Sequence, residues 1–379
     1  MILSSVLVFA AIAHGREIVF PPLLDITQND QLFKSLEGAG QDSGFGVAIA
    51  GLPTYANLPF INCAAKDGDD VFDIGILGAG FDTGVTARPG TRFGPDGIRQ
   101  GSRRMSDSIW SIYTGKNTFR DWARIVDCGN APLTYLDNTV ALKQLQLSHK
   151  AISARRTSSS EYTTPRILTL GGDHTTTLPA LRSAYQKFGQ VSVIHFDSHL
   201  DTWDPKVLGG GISHYAGVNH GTFLHIAHEE GLIGNSSIHV GIRAPVLRPK
   251  GDVRNDIRCG FDMIKARDLD RIGVQGVVDK IKERVGANKV YISVDIDVLD
   301  PAFAPGTGTA EAGGWSTREL LTILDALSGL EVVGGDVVEV APIYDNAGET
   351  TIIAAAEVAH SLLQLMVDQP VKSLRATNE

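Results

Sequence analysis

Short apolar runs ending in Gly or Asp alternate with longer amphipathic stretches along most of the chain. The apolar runs predict strands at Asp73–Leu77, Arg124–Asp127, Arg166–Leu170, Val191–Phe196, Ser237–Gly241, Phe261–Lys265, Lys289–Val294 and Glu331–Val338. The amphipathic stretches predict helices at Thr134–Arg155, Leu178–Phe188, Leu269–Val285, Thr317–Leu327 and Thr351–Leu365. Strands that alternate with helices build βαβ units and a mainly parallel sheet, so the fold class is α/β. The run Val290–Val294 (VYISV) is apolar at nearly every position, as a strand buried on both faces requires. Residues 16–70 are rich in Pro, Gly and Asp with little periodicity and read as an irregular extension, leaving 71–379 as a single domain. Pro22, Ser158–Ser160 and Gly209–Gly211 read as loops rather than linkers. In open α/β sheets a ligand site lies beyond the carboxyl ends of the strands.

Three of the predicted strands run directly into His and Asp residues. ILTLGGDHTTTLP places Asp173 and His174 just past a strand end, and VIHFDSHLDTWD brings Asp197, His199 and Asp201 at alternate positions. VYISVDIDVLDP brings Asp295 and Asp297. In an extended segment residues i, i+2 and i+4 face the same way, so each set converges. Four carboxylates at one crevice repel one another and raise each other's pKa. Two divalent cations cancel that charge, with His174 and His199 as neutral nitrogen ligands. Oxygen ligands with imidazole favour Mn, Fe or Zn over calcium, and the excess of Asp over His tilts the choice toward manganese. No Cys lies near these segments, which argues against a structural zinc. An isolated Asp after a strand is more often a turn former or helix cap. Three such segments together are not explained that way.

The composition, 43% hydrophobic and 20% charged in 379 residues, suits a globular chain. Its net charge of −9 and lack of a basic tract argue against a nucleic-acid partner. The N-terminal run Ile2–Ala13 has the length of a signal-peptide core but is too short to span a bilayer, and Ala11, Ala13 and Gly15 offer cleavage sites. Residues 1–15 therefore read as a signal peptide and the chain as secreted or in the secretory pathway. Its weakness is an n-region without Lys or Arg, which leaves a buried N-terminal segment and a cytoplasmic chain as the alternative. No other stretch reads as long and apolar enough to cross a membrane. Cys63, Cys128 and Cys259 allow one bridge plus a free thiol, or three reduced thiols. Asn235-Ser236-Ser237 is a glycosylation sequon.

From Asp73 to Leu365 the chain resembles the ureohydrolase family of arginase, agmatinase and guanidinobutyrase. The resemblance rests on FDTGVTARPGTRFGPDGIRQGSR, GGDHTTTLP, HFDSHLDT, NHGTFLHIAHEEGLI, HVGIR, SVDIDVLDPAFAPGTGT and DVVEVAPIYD. The segments around PGTRFGPDGIRQ and NHGTF look closer to the agmatinase branch. The resemblance implies a three-layer α/β/α fold around about eight strands, two Mn2+ per subunit, and a trimer or hexamer. Carried over by position, His174 and Asp201 match ligands of one manganese, His199 and Asp297 those of the second, and Asp197 and Asp295 the bridging carboxylates. His220 matches the proton-shuttling histidine and Glu339 the carboxylate that pairs with the substrate guanidinium. Ser198 departs from the Ala common in the family, without touching a ligand position.

The reaction this implies is hydrolysis of a small guanidino compound to urea and an amine, with Asp201 orienting the nucleophile and His220 moving the proton. Agmatine is the preferred substrate and 4-guanidinobutyrate the alternative, for which Arg88, Arg92 or Arg243 offer a positive partner. A single-metal deacylase, a two-metal phosphatase and a non-catalytic binding relative fit the intact ligand set less well. His195 reads as a packed core residue, His214, His225 and His228 as surface or packing residues, and Asp300 as a turn residue. Gly306 and Gly308 give the loop near the metals freedom to approach backbone.

Overall fold

The computed structural model describes residues 52–65, 70–158, 164–213, 215–248 and 250–374. The signal-like run, most of the 16–70 extension and His214 lie outside these residues. Eight strands form one sheet: β1 (Ile74–Gly78), β2 (Ile125–Asn130), β3 (Arg166–Leu170), β4 (Ser192–Phe196), β5 (Ser237–Ile242), β6 (Phe261–Lys265), β7 (Val290–Asp295) and β8 (Val332–Val338). Their order is β2-β1-β3-β8-β7-β4-β5-β6, and every pairing is parallel. All eight coincide with predicted strands to within about three residues, because most are runs of apolar side chains bounded by Gly or Asp. β1, β3, β4, β5, β7 and β8 are buried at every position, as a sheet covered on both faces demands.

The described helices are α1 (Gly94–Gly101), α2 (Asn138–Ser153), α3 (Thr177–Phe188), α4 (Phe223–Glu229), α5 (Gly251–Arg258), α6 (Leu269–Val285), α7 (Thr317–Ala326) and α8 (Thr350–Asp368). Alternate strand residues feed two cores. Ile194, Val240, Ile292 and Val332 pack with residues of α6, α7 and α8, while Val193, Tyr291 and Val333 pack with residues of α3 and α4. The result is the three-layer α/β/α arrangement. α8 corrects one expectation: its 19 residues are long and apolar enough to cross a membrane by composition. It is instead a core helix, buried at most positions against β8 and β3. The short helices α1, α4 and α5 escape the sequence pattern, since seven or eight residues hold barely two turns of periodicity.

The described residues of the leading segment, from Leu52 to Ala65, pack against the sheet domain. Tyr55 is fully buried, and its N–H donates to Asp127 Oδ2 at 2.8 Å. Asp127, at 0% exposure, also takes a bidentate pair from Arg99 of α1, at 2.8 and 2.9 Å. Cys63 and Cys128 are joined by a disulfide that ties this leading segment to β2, whereas Cys259 is free and buried. Of the two alternatives for the cysteines, the structure has the bridge plus a thiol.

Candidate metal centre

The carboxyl ends of four neighbouring strands, β3, β8, β7 and β4, supply every residue of the cluster. β3 leads into Asp173 and His174, β8 into Glu339, β7 ends on Asp295, and β4 leads into Asp197, His199 and Asp201. The convergence does not come from strand alternation, as the spacing suggested. Asp197 Oδ1 accepts the His199 N–H at 2.5 Å and Asp295 Oδ1 accepts the Asp297 N–H at 2.8 Å, so each Asp folds its own following residues into a turn. Asp297 lies in a single 3-10 turn, and Asp201 sits at φ 54° in the left-handed region. A non-glycine residue held there costs roughly 1–3 kcal/mol and persists where the surroundings over-determine it.

His174 Nδ1 lies 3.1 Å from Asp197 Oδ2, 3.1 Å from Asp201 Oδ2 and 3.4 Å from Asp295 Oδ2. His199 Nδ1 lies 3.3 Å from Asp197 Oδ1 and 3.1 Å from Asp297 Oδ2. Ligand-type atoms of His174, His195, Asp197 and Asp201 fall within 4.8 Å of one another, and so do those of Asp197, His199 and Asp297. Asp197 therefore belongs to both groups, as a carboxylate shared between two cations does. His174 Nδ1, His195 Nε2 and Asp197 Oδ2 are buried without a hydrogen-bond partner. Buried polar atoms are rarely left so, and His174 Nδ1 with Asp197 Oδ2, 3.1 Å apart, fit ligands of one cation. Behind His174, its Nε2 meets Ser293 Oγ at 2.8 Å, and that hydroxyl donates to Asp336 at 2.6 Å. This fixes the imidazole as a metal-binding histidine is usually fixed.

Beside the cluster, Glu339 also stands in the left-handed region, at φ 60°. Its Oε1 accepts the His174 N–H at 2.9 Å and faces His220 Nδ1 at 3.1 Å, while Oε2 is buried without a partner. His220 Nε2 meets Thr86 Oγ1 at 2.9 Å. The loop bearing Gly308 closes over this carboxylate: a Cβ at Gly308 would stand 3.9 Å from Glu339 Oε2 and only 2.7 Å from the Arg88 carbonyl. Side-chain exposure of 18% at His199 and 11% at His220, against 0% at His174, places the opening on the His199–His220 side.

The electrostatics of these carboxylates are those of a crowd. Burial, then the charge of Glu339, raises Asp173 to about 7. Burial, then Asp197, raises Asp201 to about 6, and burial with Asp297 and Asp197 pushes Asp295 well up. Burial opposes charge on His174, yet the adjacent carboxylates of Asp197, Asp201 and Asp295 raise it well above the ordinary imidazole range. Burial likewise opposes charge on His220, and Glu339 prevails, raising it to about 9. Burial holds His195 down at about 3 against the pull of Asp197.

Every residue assigned from the sequence motifs lies in this crevice: His174, Asp197, His199, Asp201, Asp295, Asp297, His220 and Glu339. His195 is buried as expected, but its Nε2 also faces Asp197 Oδ2 at 3.2 Å. Thr86, Ser293, Asp336 and Glu311, whose Oε1 is 3.7 Å from His199 Nε2, were given no role from the sequence, although the first three lie within the motifs quoted above. Of the three arginines considered for a substrate tail, Arg243 is spent on backbone carbonyls of Asp297, Val298, Leu299 and Glu311. Arg92 pairs with Asp82 at 2.6 Å. Arg88 alone stands over the site loop, donating to the Thr307 and Gly308 carbonyls and lying 4.8 Å above the Tyr344 ring. His225 meets Asn255 and Arg258 in a packing role, and Asp300 holds the Gly313–Gly314 turn.

The arginase family model matches residues 72–364. The chain belongs to the arginase family. It is 49% identical over 342 residues to a Schizosaccharomyces pombe protein named "Putative agmatinase 1", covering 87% of this chain and 86% of that one. It is 38% identical to an agmatinase of Neisseria meningitidis, covering 76% and 86%. Among solved structures, proclavaminate amidinohydrolase of Streptomyces clavuligerus superposes with a TM-score of 0.73 at 33% identity, covering 85% of this chain and 99% of that one. The protein is thus an agmatinase-like ureohydrolase, a hydrolase of guanidino compounds. Members of the family are typically metal-dependent, and the His and Asp cluster described above fits a metal site.

Proposed function

We propose that this protein is a binuclear manganese hydrolase that converts agmatine and water to putrescine and urea. The observation that carries the reading is the set of buried, unpartnered ligand atoms on His174 and Asp197, next to the unpartnered Oε2 of Glu339. His174 and Asp201 would hold one Mn2+, His199 and Asp297 the other, with Asp197 and Asp295 shared. When bound, two such ions supply Lewis acidity and a nucleophile at neutral pH. Glu339 accepts guanidinium N–H groups at Oε2 and fixes the planar carbon against the cluster. Asp201 orients the attacking water by accepting one of its hydrogens. His220, made more basic by Glu339 and accepting the Thr86 N–H at Nε2, holds its proton at Nδ1 and delivers it to the departing amine.

The second substrate reading, 4-guanidinobutyrate, draws on Arg88, whose charge at the rim suits a carboxylate tail. Urea release from manganese-loaded protein offered agmatine, 4-guanidinobutyrate and arginine separately tests both. Rapid turnover of agmatine supports the first reading, and preference for the guanidino acid supports the second. Urea from none sinks both substrate readings, and undiminished urea from Asp197→Ala sinks the binuclear mechanism. Assembly as a trimer or hexamer belongs to the same proposal, on the family resemblance.

We also infer secretion. The Ile2–Ala13 run and the Cys63–Cys128 bridge both suit an oxidising compartment. Asn235 of the sequon is exposed, before β5 and at the opposite end of the sheet from the cluster. Full-length chain expressed in a eukaryotic secretory host should appear in the medium with a glycosidase-sensitive mass that Asn235→Gln removes. Retention of unmodified, unprocessed chain in the cytosol would count against the inference.

A further inference from the structure

A line of buried polar side chains leads away from the cluster, from β4 across β5 to α5. His195 Nε2 lies 3.2 Å from Asp197 Oδ2 and 4.0 Å from Asp201 Oδ2. On its other side, His195 Nδ1 meets His239 Nδ1 of β5 at 2.8 Å, and His239 Nε2 meets Asp256 Oδ1 of α5 at 2.8 Å. The same Asp256 oxygen accepts the Thr202 hydroxyl at 2.7 Å, while Asn255 donates to the Thr202 carbonyl. Asp256 therefore reaches the cluster twice, through the two histidines to Asp197 and through Thr202 to the neighbour of Asp201. These four side chains are each at most 1% exposed. His239 is stacked on Phe261 with centroids 4.0 Å apart, and the His195 ring lies 4.8 Å from that of His174.

Polar groups buried so deeply are costly unless fully engaged, and a hydrophobic trio would fill the same space. We propose that Asp256, His239 and His195 are positioning residues for the cation site formed by His174, Asp197 and Asp201. Asp256 anchors His239, the His239–His195 contact fixes the plane of the His195 ring, and that ring holds the Oδ2 side of Asp197. Thr202 carries the second branch: tied to Asp256, it pins the turn in which Asp201 is kept at its left-handed φ. Outer partners of this kind alter metal affinity about 10–100-fold when removed, because they orient the ligands without touching the ion. This inference rests on reading the cluster as a site for two cations.

The test is a Mn2+ titration of metal-stripped full-length protein, counting free ion by its EPR signal, on wild type, Asp256→Asn and His239→Phe. Phe at 239 keeps the stack on Phe261 and removes both ring nitrogens. The wild type should take two equivalents. Each variant should bind one equivalent about 10–100-fold more weakly and the other unchanged, with an unaltered far-UV circular dichroism spectrum. Thr202→Val, which deletes one hydroxyl at the edge of the network, should give a smaller loss on the same equivalent and serves if Asp256→Asn does not fold. Folded variants that titrate like wild type overturn the relay, as does equal weakening of both equivalents. A wild type that binds no divalent cation overturns the two-cation reading itself.

Discussion

Two site residues, Asp201 and Glu339, hold a backbone conformation that L-residues avoid, and both contribute carboxylates to the same crevice. For Glu339 the cost is offset by what the turn achieves. Its N–H donates to the Gly172 carbonyl at 2.8 Å, its Oε1 braces His174 and His220, and its Oε2 is left facing the site. Glu339→Gln replaces a charged acceptor by a neutral amide of the same shape. A charge-assisted hydrogen bond is worth about 1.5–3 kcal/mol, so kcat/KM for the guanidino substrate should fall roughly 10–150-fold. Mn2+ stoichiometry should stay at the wild-type value, because Glu339 is not among the grouped ligand atoms. Steady-state kinetics and metal analysis on the same preparation separate these, and loss of metal without loss of kcat/KM would refute the assignment.

At the scale of elements, the site depends on close packing of pieces that look unpromising singly. α1 has three glycines and a proline in eight residues, a poor helix by intrinsic propensity. It forms because Pro95 suits the first turn and because α8 packs directly on it. At Gly101 a Cβ would stand 2.2 Å from the Ile352 carbonyl oxygen of α8, a backbone atom that cannot step aside. Gly101→Ala should therefore destabilise the fold by about 1–3 kcal/mol, read as a lower urea midpoint with an unchanged slope. An unchanged midpoint would mean that the helices separate at no cost. Such packing also explains why α1 was absent from the sequence reading, since its stability comes from tertiary contact rather than its own pattern.

For the whole molecule, the crowded carboxylates predict how stability follows pH. Asp173 at about 7, Asp201 at about 6 and a raised Asp295 bind protons in the folded state that the unfolded chain has already released above about pH 4. Stability of the metal-free protein from these groups therefore falls as pH rises through that window. His174 and His199 act in the same direction. Burial opposes their charge, their Asp partners raise both, and the stability they give below about pH 6.5 is lost as pH climbs through the folded values. Asp197 opposes the trend: despite its burial, His195, His174 and His199 keep it well below the carboxylate range. Cations remove the repulsion by replacing the protons. Melting of metal-free and Mn2+-loaded protein should show a larger gain from metal at pH 8 than at pH 5. An equal gain at both would show that the cluster does not set the pH dependence.

The sequence alone determined the eight strands, the parallel α/β architecture and the residues of the His and Asp cluster. Buried strands must be apolar throughout, and chemistry beyond their ends must be polar, so the change from VIHF to DSHLD is visible without coordinates. The family motifs likewise carried His220 and Glu339. Tertiary structure alone decided the rest. The order β3-β8-β7-β4 sets side by side strand ends that lie far apart in the chain, and turns rather than strand alternation aim Asp201 and Asp297. It also tied Arg92 to Asp82 and Arg243 to backbone carbonyls, joined Cys63 to Cys128, and turned His195 from apparent filling into a link to Asp256. Periodicity records which face of an element is buried. Contacts between residues distant in the chain leave no such record, because each partner looks ordinary in its own segment.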